Sequence, residues 1–159
     1  MNAPGDWVQL AYRLPREPSA PRLAVWRKLK RLGVAQLLDG LVALPLDSRN
    51  RERLEWIAEE VEEAGGEASI WTAVPATAAQ ERALAAAMRD AIAKQYRAVT
   101  VEAHEAAADR APGRQRTLAR LRRELDRIGR RDYFTPPERD DARAAVEALA
   151  QAVNAEAPS

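Results

Sequence analysis

At 159 residues, 47% of them hydrophobic, 31% charged and 5% aromatic, the chain suits one domain or a small domain with an appended one, and is too apolar for wholesale disorder. It has no cysteine, which excludes disulfides, thiolate metal sites, cysteine nucleophiles and thiol redox chemistry together. Its 25 basic and 24 acidic residues leave a net charge of +1, so overall charge points to no partner. No run approaches the roughly 18 apolar residues of a membrane span. The opening MNAPGDWVQLAYRLPRE lacks the basic start and apolar core of a secretory signal, and a cytoplasmic protein is expected.

The segment Trp7 to Leu14 alternates, with Val8, Leu10, Tyr12 and Leu14 on one side, which predicts a half-buried strand stopped by Pro15 and Pro18. Pro21 suits the first turn of a helix and Gly33 the left-handed position past its end, which frames a helix from Pro21 to Leu32. VAQLL and LVALP flank Asp39-Gly40, a hairpin dipeptide, and read as a strand pair. Ser48 or Asp47 can cap a second helix in which Leu54, Ile57, Val61 and Ala64 recur at helical spacing before Gly65-Gly66 ends it. The basic start of this helix runs against the helix dipole. EASIWTAVP, Glu67 to Pro75, is one more strand.

The order strand, helix, strand, strand, helix, strand predicts an α+β, ferredoxin-like domain over residues 6–76. Alanine, arginine and glutamate dominate the remainder, and a helical extension of about three helices is expected over 77–156. Thr77 and Gln80 make a capping box for one long helix, or two with a kink near AVTV; Pro112-Gly113 then breaks it. Leu118, Leu121, Leu125 and Ile128 follow at 3, 4, 3 spacing. The last helix opens with prolines and acids at PPERDDAR, and the terminal EAPS is expected to fray.

Charge is distributed unevenly. Between Tyr12 and Gly33 stand seven basic side chains, Arg13, Arg16, Arg22, Arg27, Lys28, Lys30 and Arg31, against one acid, Glu17. On a helical wheel Val25, Trp26, Leu29 and Leu32 fill an arc of roughly 120 degrees, and Arg27, Lys28, Lys30 and Arg31 the complementary side. Repulsion among such cations costs a few tenths of a kcal/mol per pair, so the cluster favours an anionic partner over a merely solvated face. A second run, Arg110 to Arg131, holds nine arginines against Glu124 and Asp126, with Arg116, Arg120, Arg123 and Arg127 opposite the leucines. Arginine suits bidentate phosphate contacts, although a GC-rich genome would also inflate arginine and alanine. The acids gather mainly in Glu52 to Glu67, giving a polarised surface.

Nothing here assembles a catalytic or metal site. His104, the single histidine, has Glu102 and Glu105 at spacings that point away from it on a helix, and reads as a surface residue. Glu59-Glu60 and Glu62-Glu63 belong to a charged helix face without an apolar pocket to raise a pKa. Gly65-Gly66 stands between helix and strand, the reverse of a dinucleotide loop. No catalytic residue, cofactor or metal is assigned, and an enzyme is not expected.

LPREPSAPRLAVWRKLKRLG, Gln36 with the LVALP hairpin, EAGGEASIW and the late RRDYFTPP together resemble the N-terminal region of the ChrB family of chromate resistance regulators, over nearly the whole chain. Regulators of the PaaX type and the small CRISPR adaptation protein are similar in layout. The resemblance implies a bacterial DNA-binding repressor of a chromate efflux operon, contacting DNA through Arg16, Arg22, Arg27, Lys28, Lys30 and Arg31. ChrB-like regulators continue into a C-terminal region thought to sense chromate, so a module lacking that region is expected here. The CRISPR-associated relatives place an aspartate after the aromatic residue of strand one to hold a metal; here Arg13 follows Tyr12, which disfavours nuclease activity.

The expectation is therefore a DNA-binding regulatory module, dimeric because a small sheet leaves edges to cover, with the cations from Arg13 to Arg31 and those from Arg116 to Arg127 on operator phosphates. The alternative is a protein-interaction or sensor subunit acting with a separate partner chain. In that case the seam Leu118 to Ile128 and the basic faces would bind an acidic protein.

Overall fold

The computed structural model describes residues 5–110 and 112–156. Along them run β1 (Trp7–Arg13), α1 (Ala20–Leu32), β2 (Ala35–Leu38), β3 (Leu41–Pro45), α2 (Ser48–Glu63), β4 (Glu67–Ala73), α3 (Ala78–Ala108), α4 (Arg114–Arg130) and α5 (Glu138–Ala155). The protein is a mixed α+β chain with one four-stranded sheet, ordered β2-β3-β1-β4. It divides into two compact units between Met88 and Arg89, a boundary that falls within α3. The expected tail EAPS reaches past Glu156, and its last three residues lie outside the described ones.

In the first unit every neighbouring pair of strands is antiparallel. β1 is central, with Val8 opposite Leu44 and Leu10 opposite Val42 on β3, and all four side chains are buried. The predicted alternation thus places Val8 and Leu10 in the core. Trp7 is buried too, against the expectation that its side of the strand faces water. The segment before it is tied to α3, where Glu81 Oε2 accepts from the Gly5 N–H at 2.6 Å. Strand ends are shorter than the sequence suggested: β1 stops at Arg13 rather than Leu14, and β4 at Ala73 rather than Pro75.

Val25 and Leu29 of α1 and Leu54, Ile57 and Val61 of α2 complete this core. Each fully buried Leu or Val contributes on the order of 2 kcal/mol of transfer free energy, enough to hold helices of modest intrinsic propensity on the sheet. The cap of α2 is Asp47, not Ser48: its side chain accepts from the Asn50 N–H at 2.6 Å. Asn50 is 2% exposed and donates from Nδ2 to the Pro45 carbonyl at 2.9 Å, which ties α2 to the end of β3.

Two glycines seal the far end of β1. Gly40, at φ 78°, closes the β2–β3 hairpin, and its carbonyl accepts from the Tyr12 N–H at 2.8 Å. A Cβ there would lie 2.4 Å from the Tyr12 carbonyl oxygen. At Gly66 a Cβ would lie 2.3 Å from the Arg13 carbonyl oxygen and 2.8 Å from Val61 Cγ1. Gly65 therefore stops α2 at φ 86°, while Gly66 is required by close approach to β1.

In the second unit Ile92, Tyr96, Val99 and Ala103 of α3 form one helical stripe, packed with Leu118, Leu121 and Ile128 of α4 and Ala142, Ala145, Val146, Leu149 and Ala150 of α5. The alanines let the helices approach closely. The kink weighed near AVTV is absent, since α3 runs unbroken from Ala78 to Ala108. The leucine seam is interior, with Leu125 half-buried against the same cluster, so it is not free to dock a partner as the alternative reading required. Asp132 organises the α4–α5 turn. Its Oδ2 accepts from the Tyr96 hydroxyl at 2.9 Å, and its Oδ1 from the N–H groups of Phe134 at 3.3 Å and Thr135 at 2.7 Å.

Two outcomes test this packing. Gly40→Ala, which combines a left-handed backbone with a backbone clash, should lose about 2–4 kcal/mol in urea unfolding; Gly113→Ala, at φ 101° but with open space around its Cβ, should lose only about 1 kcal/mol. Burial and the Asp132 hydrogen bond push the Tyr96 phenol up to about 12. The fold thus favours the neutral phenol, a contribution fully present below the ordinary value of 10 and lost as pH rises through 12. Stability measured between pH 9 and 12 should fall, and Tyr96→Phe should flatten that decline.

Candidate nucleic-acid interface

The loop between β1 and α1, LPREPS, has its backbone restricted by Pro15 and Pro18 and contains a cis Glu17–Pro18 bond. It leads into α1 with Pro in the first turn and Gly33 at φ 73° beyond the last, as the sequence predicts. Between this loop, the end of β1, the hairpin and α1 lies an open groove of about 810 Å³. Arg13, Arg16 and Arg22 stand around it with Tyr12, Trp26 and Leu23. Asp39 and Gln36 reach it from the hairpin.

The wheel needs correcting. Val25 and Leu29 are buried, but Trp26 is only half-buried and belongs to a separate strip with Arg22 and Lys30, spaced four residues apart. Lys30 Nζ lies 5.4 Å from the Trp26 ring centroid, a cation–π contact. On the other flank Lys28 Nζ pairs with Glu60 Oε2 of α2 at 2.5 Å. Arg27 and Arg31 are exposed between the two strips. The single basic arc is thus divided, because α2 lies along one side of α1 and supplies an acid there.

Arg13 pairs with Glu67 at 2.8 Å, both side chains well exposed, so the pair contributes little stability and leaves the guanidinium available. Burial first, and then the Asp39 carboxylate, raise the pKa of the Tyr12 phenol, while the Arg22 guanidinium lowers it. Tyr12 is therefore a neutral hydrogen-bonding group at the groove. Arginine forks, an indole edge and a phenol together can hold phosphates and stack against bases or sugars.

The second basic run serves several purposes. Arg116, Arg120, Arg123 and Arg127 are exposed on α4, as expected. Arg120 is bonded to Glu102, and Arg127 to Glu124 at 2.8 Å, which leaves Arg116 and Arg123 outside any ion pair among the described residues. Arg114 and Arg131 face inward instead. Arg114, 9% exposed, donates to the carbonyls of Ala106 at 3.1 Å and Ala107 at 3.0 Å and pairs with Glu156 at 2.5 Å. It satisfies the last carbonyls of α3, an internal duty that a count of charges does not reveal. Arg131 bonds Gln95 through Nε at 2.9 Å. His104 is exposed, and no group of three or more His, Cys, Asp or Glu that could hold a metal occurs among the described residues.

Residues 22–111 match the family described as Protein ChrB, N-terminal. The chain belongs to the ChrB N-terminal family. Searches of curated proteins and of solved structures returned no match. The ChrB match begins at Arg22, the third residue of α1, and takes in the rest of that helix, the hairpin, α2, β4 and all of α3. Of the expected contacts, Arg22, Arg27, Lys28, Lys30 and Arg31 fall inside it; Arg13, Arg16 and the four α4 arginines fall outside.

Sequence reasoning missed Trp26 and Tyr12 as groove residues. The fourfold spacing of Arg22, Trp26 and Lys30 was the available signal, masked because a tryptophan beside Val25 reads as core. For the inward arginines the expected result is a sharp contrast: Arg114→Gln should cost about 2–4 kcal/mol in thermal or urea unfolding, and Arg116→Gln less than about 0.5 kcal/mol.

Proposed function

We propose that this chain is a DNA-binding regulatory module of chromate resistance, acting without catalysis in the cytoplasm. The observation that carries the reading is the groove lined by Arg13, Arg16 and Arg22 with Tyr12 and Trp26, with Arg27 and Arg31 exposed elsewhere on α1. Membership of the ChrB N-terminal family supports the regulatory role. The arginines of the loop and α1 sit on phosphates and set the register of the complex, and the groove takes the sugar-phosphate edge against its aromatic wall. The exposed Arg116 and Arg123 of α4 add further phosphate contacts.

The sheet order β2-β3-β1-β4, antiparallel throughout, supports the ferredoxin-like plan for the first unit. β2 and β4 are its edges, and Trp71 on β4 is 60% exposed, which favours a homodimer that covers an edge and presents two basic surfaces to a pseudo-palindromic operator. Sensing of the effector is assigned to a further region or a separate chain.

Affinity for the DNA upstream of its own gene, measured against salt, tests the reading. A steep log–log slope is expected, and a flat one overturns it. Replacing Arg16, Arg22 or Arg27 by glutamine should reduce the slope by about one for each lost phosphate contact. Lys28→Gln should change it less, because Glu60 already neutralises that ammonium.

A further inference from the structure

The outer face of α2 carries Glu52, Trp56, Glu59 and Glu63, whose four, three, four spacing sets them on one stripe. Trp56 is 62% exposed. The three acids of the stripe are exposed and join no ion pair among the described residues, whereas Glu55 and Glu60 of the same helix are paired with Arg51 and Lys28. A largely exposed indole amid unpaired carboxylates presents the π face and the charge that guanidinium groups recognise.

The chain carries the complementary stripe on α4. Arg116, Arg120, Arg123 and Arg127 repeat the same spacing, so the two stripes have equal length along their helices and meet residue for residue. Arg116 and Arg123 are in no ion pair among the described residues, and the bonds of Arg120 to Glu102 and of Arg127 to Glu124 are exposed ones that exchange at little cost. Helix dipoles set the direction. The last turn of α2 holds Glu60, Glu62 and Glu63 with no base, and the first turn of α4 holds Arg116 with no acid, so each end bears charge that its own dipole disfavours. Antiparallel alignment brings these two ends together and neutralises both.

We propose that this face of α2 docks on α4 of a second copy of the chain, antiparallel, with Arg116 on Glu63, Arg120 on Glu59, Arg123 over the Trp56 indole and Arg127 on Glu52. Arginine forks hold the carboxylates, and one cation–π contact marks the centre of the register. Two different stripes meet, so the contact is heterologous and separate from a dimer built on a sheet edge. It stands independently of the DNA-binding reading, although Arg116 and Arg123 cannot hold a second copy and phosphates at once.

Sedimentation equilibrium of the full chain, from low salt to about 0.5 M, tests the proposal. Self-association is expected at low salt and should weaken at least about tenfold over that range. At low salt Glu63→Arg and Arg116→Glu should each weaken it at least about tenfold, since attraction becomes repulsion. Both reversals suit the dipole of their own helix, so each variant keeps its fold. Mixing the two variants should restore association to within about threefold of the unsubstituted chain, because the reversed charges then face each other across the contact. Trp56→Ala should weaken association about threefold. Glu105→Arg, the same change of charge on the exposed face of α3, should leave it within about twofold. A chain that stays monomeric at low salt up to about 0.1 mM overturns the proposal. Self-association indifferent to Glu63→Arg belongs to another interface and overturns it equally, and failure of the mixture to restore association refutes the antiparallel pairing.

Discussion

The first unit depends on how closely other backbone approaches the last two residues of β1. Tyr12 is bonded to Gly40 of the hairpin, and Arg13 lies against Gly66 at the exit of α2. No side chain fits at either contact, so both turns are fixed on the same strand end. That end is also where the chain leaves the sheet to form the arginine-bearing loop. The groove therefore inherits its position from backbone contacts, and its cationic side chains are free to serve a ligand rather than the fold.

Arginine is put to three different uses within one chain. At Arg114 and Arg131 it bonds carbonyl or amide oxygens inside the helical unit. At Arg13, Arg120 and Arg127 it joins exposed ion pairs of small energetic value. At Arg16, Arg22, Arg27 and Arg31 it faces solvent without an ion pair among the described residues. The near-zero net charge reflects nearly equal numbers of basic and acidic residues, and acids such as Glu60, Glu67 and Glu102 lie next to cations. The cations outside these pairs include Arg16, Arg22, Arg27 and Arg31 around the first helix and Arg116 and Arg123 on α4.

Much of the architecture was legible because its signals are local. Alternation revealed β1, Pro21 and Gly33 bounded α1, and Asp39-Gly40 marked the hairpin. Apolar residues three and four apart separated α2 from the strands around it. The less legible features depend on contacts distant in sequence. Lys28 reads as part of a basic face until Glu60, 32 residues away, is seen beside it. Trp26 reads as core until α1 is seen to bury Val25 and Leu29 on a stripe turned away from it. Arg114 cannot be told from Arg116 by composition or periodicity, because only the position of the α3 carboxyl end distinguishes them. Of the candidate site, residue types and the α1 cluster were readable; the groove, its aromatic wall and the pairing that thins the charge were not.

The distribution of aromatic residues makes the two units separately observable. All four tryptophans, Trp7, Trp26, Trp56 and Trp71, belong to the first unit, whereas the second has Tyr96 and Tyr133 but no indole. Indole emission therefore reports on the sheet unit alone, with Trp26 beside Lys30 as its probe nearest the groove. Phenolate absorbance reports on the helical unit once Tyr12, the tyrosine of the first unit, is replaced by phenylalanine. A Tyr12→Phe sample thus carries two optical channels, one for each unit, without an introduced label.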